Sequence, residues 1–159
     1  MAKLLVLVVL FILPAIASAA IPEPFTVTGK VYCDTCRVGY ETPATTYLPG
    51  CIVKLVCKKR DNPDQITFTK EAITDSTGKY EMQVAYDAGD DICEMEHVKS
   101  SDPTCATPNA GRDRARICLT RNNGMVSNIR HANNIGYFRD VPLARCPQIL
   151  QEYQDAESD

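Results

Sequence analysis

Two cysteines separated by two residues, in Cys33-Asp34-Thr35-Cys36, are the first side chains in the sequence with evident chemistry to offer. A C-x-x-C pair can cycle between dithiol and disulfide, or supply half of a zinc site. Redox cycling needs the strand-to-helix setting that activates a thiolate, and Arg37-Val38-Gly39-Tyr40 does not start a helix. Zinc needs a second such pair, and none follows. The two cysteines are therefore read as structural.

Glu94, Glu96 and His97 suggest a metal site at first sight. On a strand, however, Glu94 and Glu96 point one way and His97 the other, which describes a solvated, charged strand. His131 is the other histidine. General acid–base catalysis needs a second group to share the work, and no Ser/His/Asp set, carboxylate pair or Gly-rich phosphate loop stands out. The chain reads as non-enzymatic, with no catalytic, cofactor-binding or metal-binding residues.

Charge is distributed unevenly. Between Ala110 and Pro147 there are seven arginines and two acids, in a chain whose formal net charge is -3. Arg112, Arg114 and Arg116 alternate and would project from one face of a strand. The plain reading is a solvated face or ion pairs with the acidic half. The sharper one is a docking surface for an acidic wall polysaccharide or an acidic receptor patch.

The elements that must position these groups are strands. Thr26–Cys33 alternates, with Val27, Val31 and Cys33 on one face and Thr28, Lys30 and Tyr32 on the other. Arg37–Pro49 reads as a loop. In Cys51–Lys58 the residues Cys51, Val53, Leu55 and Cys57 form an apolar inward face. Ile66–Ile73 follows as a third strand, then a hairpin turn in which Asp75 bonds its following backbone and Gly78 turns left-handed. Tyr80, Met82, Val84 and Tyr86 mark a half-buried strand, and Ile92–Lys99 another, with Cys93 and Met95 on one side. Ser100–Asn109 is an irregular loop and Ala115–Arg121 a strand. Met125–Asn134 suggests a helical turn, Ile135–Val141 an edge strand, and Leu143–Tyr153 a segment ending in a short helix through Ile149 and Leu150. The sum is an all-β fold, a single disulfide-linked β-barrel or sandwich of six or seven short antiparallel strands.

Residues 1–19 read as a secretory signal peptide: Lys3, an apolar run Leu4–Leu13 too short to span a bilayer, Pro14, then Ala17-Ser18-Ala19. A single domain of about 140 residues over 20–159 is long enough for a real core. Its acidic balance argues against nucleic acid as a partner, and no other stretch suits membrane insertion. All 8 cysteines lie after the leader. An even count in a secreted domain reads as four disulfides, with 105 conceivable pairings.

The segment G-K-V-Y-C-D-T-C-R, Gly29–Arg37, resembles the signature of the olive major pollen allergen (Ole e I-like) family. The resemblance continues through Pro49-Gly50, Cys57, Thr74-Asp75, Gly78, Asp91-Ile92-Cys93-Glu94, Arg112-Asp113-Arg114-Ala115-Arg116 and Gly136-Tyr137-Phe138 to Cys146, covering essentially the whole mature chain. It implies a compact β-barrel with bridges Cys33–Cys105, Cys36–Cys146 and Cys57–Cys93. Each would contribute about 3–4 kcal/mol in the chain-entropy model. Cys51 and Cys118 depart from the six-cysteine pattern and are expected to pair with each other. The chain has no Asn-X-Ser/Thr sequon, so the N-glycan of several members is expected to be absent.

The resemblance implies a secreted, monomeric, non-enzymatic extracellular protein of pollen or anther, acting in hydration, germination or tube growth, and a potential allergen. A receptor-kinase ectodomain is the expected partner. The alternatives are a wall-associated protein binding acidic polysaccharide and a protease-inhibitor-like module presenting Ser100–Asn109.

Overall fold

Strand β1 (Phe25–Asp34) is the spine of the fold. Phe25, Val27, Val31 and Cys33 point into the core and are fully or almost fully buried. Its ten residues leave room for two partners on each side. The first half pairs antiparallel with β5 (Lys79–Val84) and parallel with β9 (Ile129–His131). The second half pairs antiparallel with β2 (Thr46–Tyr47) and parallel with β10 (Ile135–Phe138). A two-residue strand, β7 (Thr107–Pro108), pairs with β10 and completes this six-stranded sheet. The computed structural model describes residues 23–156. The leader expected over 1–19 lies outside them.

The second sheet is antiparallel throughout and runs β4 (Ile66–Ile73), β3 (Ile52–Lys58), β6 (Ile92–Lys99), β8 (Arg114–Ile117). Val53, Leu55, Met95, Ala115 and Ile117 from this sheet meet Phe25, Val27, Met82, Val84 and Ile135 from the first. Apolar side chains on alternate positions of both sheets thus fill one core, the outcome that period-2 patterning dictates.

A hairpin joins the sheets between β4 and β5. Asp75 Oδ1 accepts the Thr77 amide at 2.8 Å and the Lys79 amide at 3.1 Å, and Gly78 sits at φ 73°. Thr74 Oγ1 donates to the Leu48 carbonyl at 2.6 Å and accepts the Cys51 amide at 2.9 Å, fastening the β2–β3 connection to the turn.

The all-β class holds, with four corrections. Ten strands are present among the described residues, because β2, β7 and β9 span two or three residues and carry no legible period. The pairing is mixed, not antiparallel alone: Met125–Asn134 contributes β9, which with β10 runs parallel to β1. The expected edge strand at 135–141 lies instead between β1 and β7. Finally, the sheets do not close into a barrel. No ladder joins β8 to the first sheet among the described residues, and the chain crosses there through Asn109–Arg112, held to Gly136 of β10 on both sides of its backbone. Helix α1 spans Cys146–Ala156 and includes Ile149 and Leu150, the place expected for the short helix, and none of the described helices is long and apolar enough to cross a membrane.

Candidate functional site

The end of β1 is built by its own buried carboxylate. Asp34 Oδ1 accepts the Cys36 amide at 3.2 Å and Oδ2 accepts the Gly39 amide at 2.7 Å, while Arg37 takes a left-handed φ of 57°. This turn aims the two cysteines apart. Cys33 is bonded to Cys105 across 5.9 Å between Cα atoms, and Cys36 to Cys146 across 5.4 Å. Cys57 and Cys93 face each other in the β3–β6 ladder and are bonded at a Cα separation of 4.0 Å. Cys33 and Cys36 therefore share no redox couple.

Cys51 and Cys118 do not pair, contrary to expectation: both are free thiols, Cys51 buried and Cys118 exposed. Cys118 follows Ile117, which is in register with Cys93 and thus lies at the Cys57 end of the sheet. Cys51 precedes the opposite end of β3, six residues or about 20 Å away along the strand. There the Ser101 amide donates to its sulfur at 3.4 Å.

The arginine row is split. Arg114 and Arg116 stand on β8 and share Glu94, Arg116 Nε at 3.3 Å and Arg114 Nη1 at 3.8 Å. Arg114 also reaches Asp113 at 3.4 Å. β8 starts at Arg114, so Arg112 falls in the preceding turn, where its Nε donates to the Gly39 carbonyl at 3.4 Å. Arg112 joins no ion pair among the described residues.

Glu94, Glu96 and His97 separate as the alternation requires. Glu94 is taken up by arginines, while His97 turns inward and stacks on Tyr137 of the other sheet, ring centroids 4.5 Å apart. Burial lowers the His97 pKa and pushes Tyr137 up to about 12. Among the described residues no group of three His, Cys, Asp or Glu side chains is placed to hold a metal ion. His131 is exposed on β9.

Sequence reasoning missed two arrangements. Arg130 is buried, with its guanidinium 4.7 Å from the Phe25 ring centroid and Nε donating to the Cys118 carbonyl at 3.0 Å; Arg121 lies against the same ring at 4.5 Å. Beside Arg112, Glu41 accepts hydrogen bonds from Tyr47 Oη at 3.2 Å and Asn134 Nδ2 at 2.6 Å. Tyr32, Glu41, Arg112, Asn133 and Asn134 together line a hollow of about 260 Å³. Only the G-K-V-Y run, which places Tyr32 on the outward face, pointed there.

The model of the family described as "Pollen protein Ole e 1 like" matches residues 23–154. Pollen allergen Cro s 1 of Crocus sativus is 43% identical over 143 residues, covering 88% of this chain and 84% of its own. Protein DOWNSTREAM OF FLC of Arabidopsis thaliana is 40% identical over 154 residues, covering 94% and 90%. The crystal structure of the major plantain pollen allergen Pla l 1 superposes with a TM-score of 0.66 at 25% identity, over 75% of this chain and 96% of that one.

Proposed function

The chain belongs to the Ole e 1-like pollen protein family, and from that premise we propose that it is a secreted, non-enzymatic protein that works outside the pollen or anther cell by binding, with a receptor-kinase ectodomain as partner in hydration, germination or tube growth. The observation that carries this reading is the set of three disulfides, two inside the two-sheet core and Cys36–Cys146 tying the turn after β1 to helix α1. Such cross-links suit an oxidising extracellular setting and hold surface loops in fixed shapes for a partner. The likeness to pollen allergens supports the tissue and the potential allergenicity.

The test is binding of the oxidised protein to purified receptor-kinase ectodomains from pollen membranes, alongside a tube-growth assay with the protein removed and restored. Saturable binding that is lost after reduction and alkylation supports the proposal. Absence of ectodomain binding together with unaltered tube growth overturns it.

A second reading, recognition of acidic wall polysaccharide, is favoured by Arg112, which joins no ion pair among the described residues. The inhibitor reading fits less well. Ser100–Asn109 doubles back through a hydrogen bond donated by the Cys105 N–H to the Asp102 carbonyl at 3.1 Å, so it offers a turn where a protease cleft takes an extended segment.

A further inference from the structure

On the face of β1 turned away from the core, Lys30 is half-buried, while Thr28 and Tyr32 are buried. Thr28, Lys30 and Tyr32 alternate along it, in register with His131 of β9, Lys79 of β5 and Tyr47 of β2 respectively. Two hollows open on this face and share Asn134. One is the Arg112 hollow of about 260 Å³, and the other, of about 350 Å³, includes Lys30, Lys79 and His131 in its wall. The first is below the usual range for drug-sized ligands, on the scale of one sugar ring.

We propose that the two hollows form a continuous groove for an acidic oligosaccharide, with a uronate carboxylate on Arg112 and the adjoining ring hydroxyls on Asn133, Asn134 and Glu41. This rests on the polysaccharide reading above and moves its contact from β8 to the outward face of β1. Vicinal hydroxyls both donate and accept, and the hollow answers with amides, a guanidinium, a phenol and a carboxylate. Glu41 is already oriented by Tyr47 and Asn134, so its lone pairs are held in place before a ligand arrives. A guanidinium fork matches a carboxylate, and Arg112 joins no ion pair among the described residues. Tyr47, 39% exposed and bonded to Glu41 of the first hollow, offers a ring to the C–H face of a sugar, with Lys30 Nζ 4.2 Å from its centroid. Lys30, Lys79 and His131 then place basic groups where the next acidic residue of the polymer would lie, while Lys79 keeps Glu81 as a local partner at 2.9 Å.

The experiment is an NMR titration of the oxidised chain with α-1,4-linked trigalacturonate, its fully methyl-esterified form, and polyglutamate at equal charge. Variants Arg112→Gln, Asn134→Ala and Arg116→Gln run in parallel, with melting curves to establish that each is folded. The expected result is amide shifts confined to Arg112, Asn133, Asn134 and the Lys30 region. Affinity should fall about tenfold in Arg112→Gln and in Asn134→Ala, the scale of one lost charged or paired hydrogen bond. Arg116→Gln should bind as the wild type does. Equal binding of the esterified trimer or of polyglutamate overturns the uronate assignment. Shifts on β8 in place of the groove discard this site while leaving the polysaccharide reading intact. No shifts anywhere with trigalacturonate discard both.

Discussion

Gly29 and Tyr80 face each other across the β1–β5 ladder so closely that a Cβ on Gly29 would lie 2.4 Å from Tyr80 Oη and 2.7 Å from Cζ. The phenol is fully buried, its pKa raised by burial alone. On the opposite face of β1 the relationship is repeated, with Tyr32 lying across Gly136 of β10, where a Cβ would fall 2.6 Å from Cζ. Two tyrosines thus use two glycines as seats, one on each face of the same strand.

Gly29→Ala should therefore destabilise the domain by about 1–3 kcal/mol, the usual cost of overpacking a filled site. Urea denaturation of the oxidised protein measures it. Alanine at Gly89, where a Cβ would meet nothing within 4 Å, tests the crowding argument from the other side, although its φ of 55° carries its own backbone strain. A Gly29→Ala midpoint equal to wild type would show that Tyr80 moves aside freely.

Peptide mapping without reduction should recover Cys33–Cys105, Cys36–Cys146 and Cys57–Cys93, with Cys51 and Cys118 as thiols. A maleimide should label Cys118 in the native protein and Cys51 only after unfolding, since one is exposed and the other buried. Recovery of a Cys51–Cys118 peptide would contradict this arrangement.

Burial holds His97 below its ordinary pKa of 6.5. The unfolded chain consequently binds more protons than the folded one as pH falls through 6.5, and stability drops over that window until the folded imidazole also protonates. The urea midpoint should be lower at about pH 5 than at about pH 7.5, and His97→Phe should flatten that difference. At the alkaline end, Tyr137 resists ionisation up to about 12, so it should lag the ordinary phenols in an absorbance titration. Above the unfolded value of 10.0 its delayed ionisation lowers stability in turn.

Arg114→Ser combined with Arg116→Ser should change stability by less than about 1 kcal/mol, because both guanidinium groups are exposed and water screens their pairs with Glu94. Glu94→Gln releases the two arginines. It should increase retention of the protein on a polyanion column at low salt and leave retention at high salt unchanged. Equal low-salt elution of Glu94→Gln and wild type would mean that the pairs do not restrain the arginines.

The long strands were legible because each carries several alternations. The bounds of β4 and β6 follow from the sequence to the residue, and the inward set Cys51, Val53, Leu55 and Cys57 is buried throughout. β2, β7 and β9 were not legible, because two or three residues cannot display a period. Parallel pairing to β1 depends on where long connections return, which no local pattern states. The separation of Cys51 from Cys118 could have been found: a Cys57–Cys93 bridge fixes the β3–β6 register, and only the end at which β8 joins was missing. The Arg112 hollow could not, since Glu41 and Asn134 come from loops 93 residues apart and meet only after the first sheet forms.

The bridges Cys33–Cys105 and Cys36–Cys146 overlap, with sequence separations of 72 and 110, and enclose the third. As a covalent graph, the chain between Cys33 and Cys146 is a set of fused rings, not a line. A protease that cuts any one loop within that span opens a ring without liberating a fragment. The nicked molecule keeps its mass on a non-reducing gel, its two sheets remain tethered across the break, and separation of the pieces waits for a reductant.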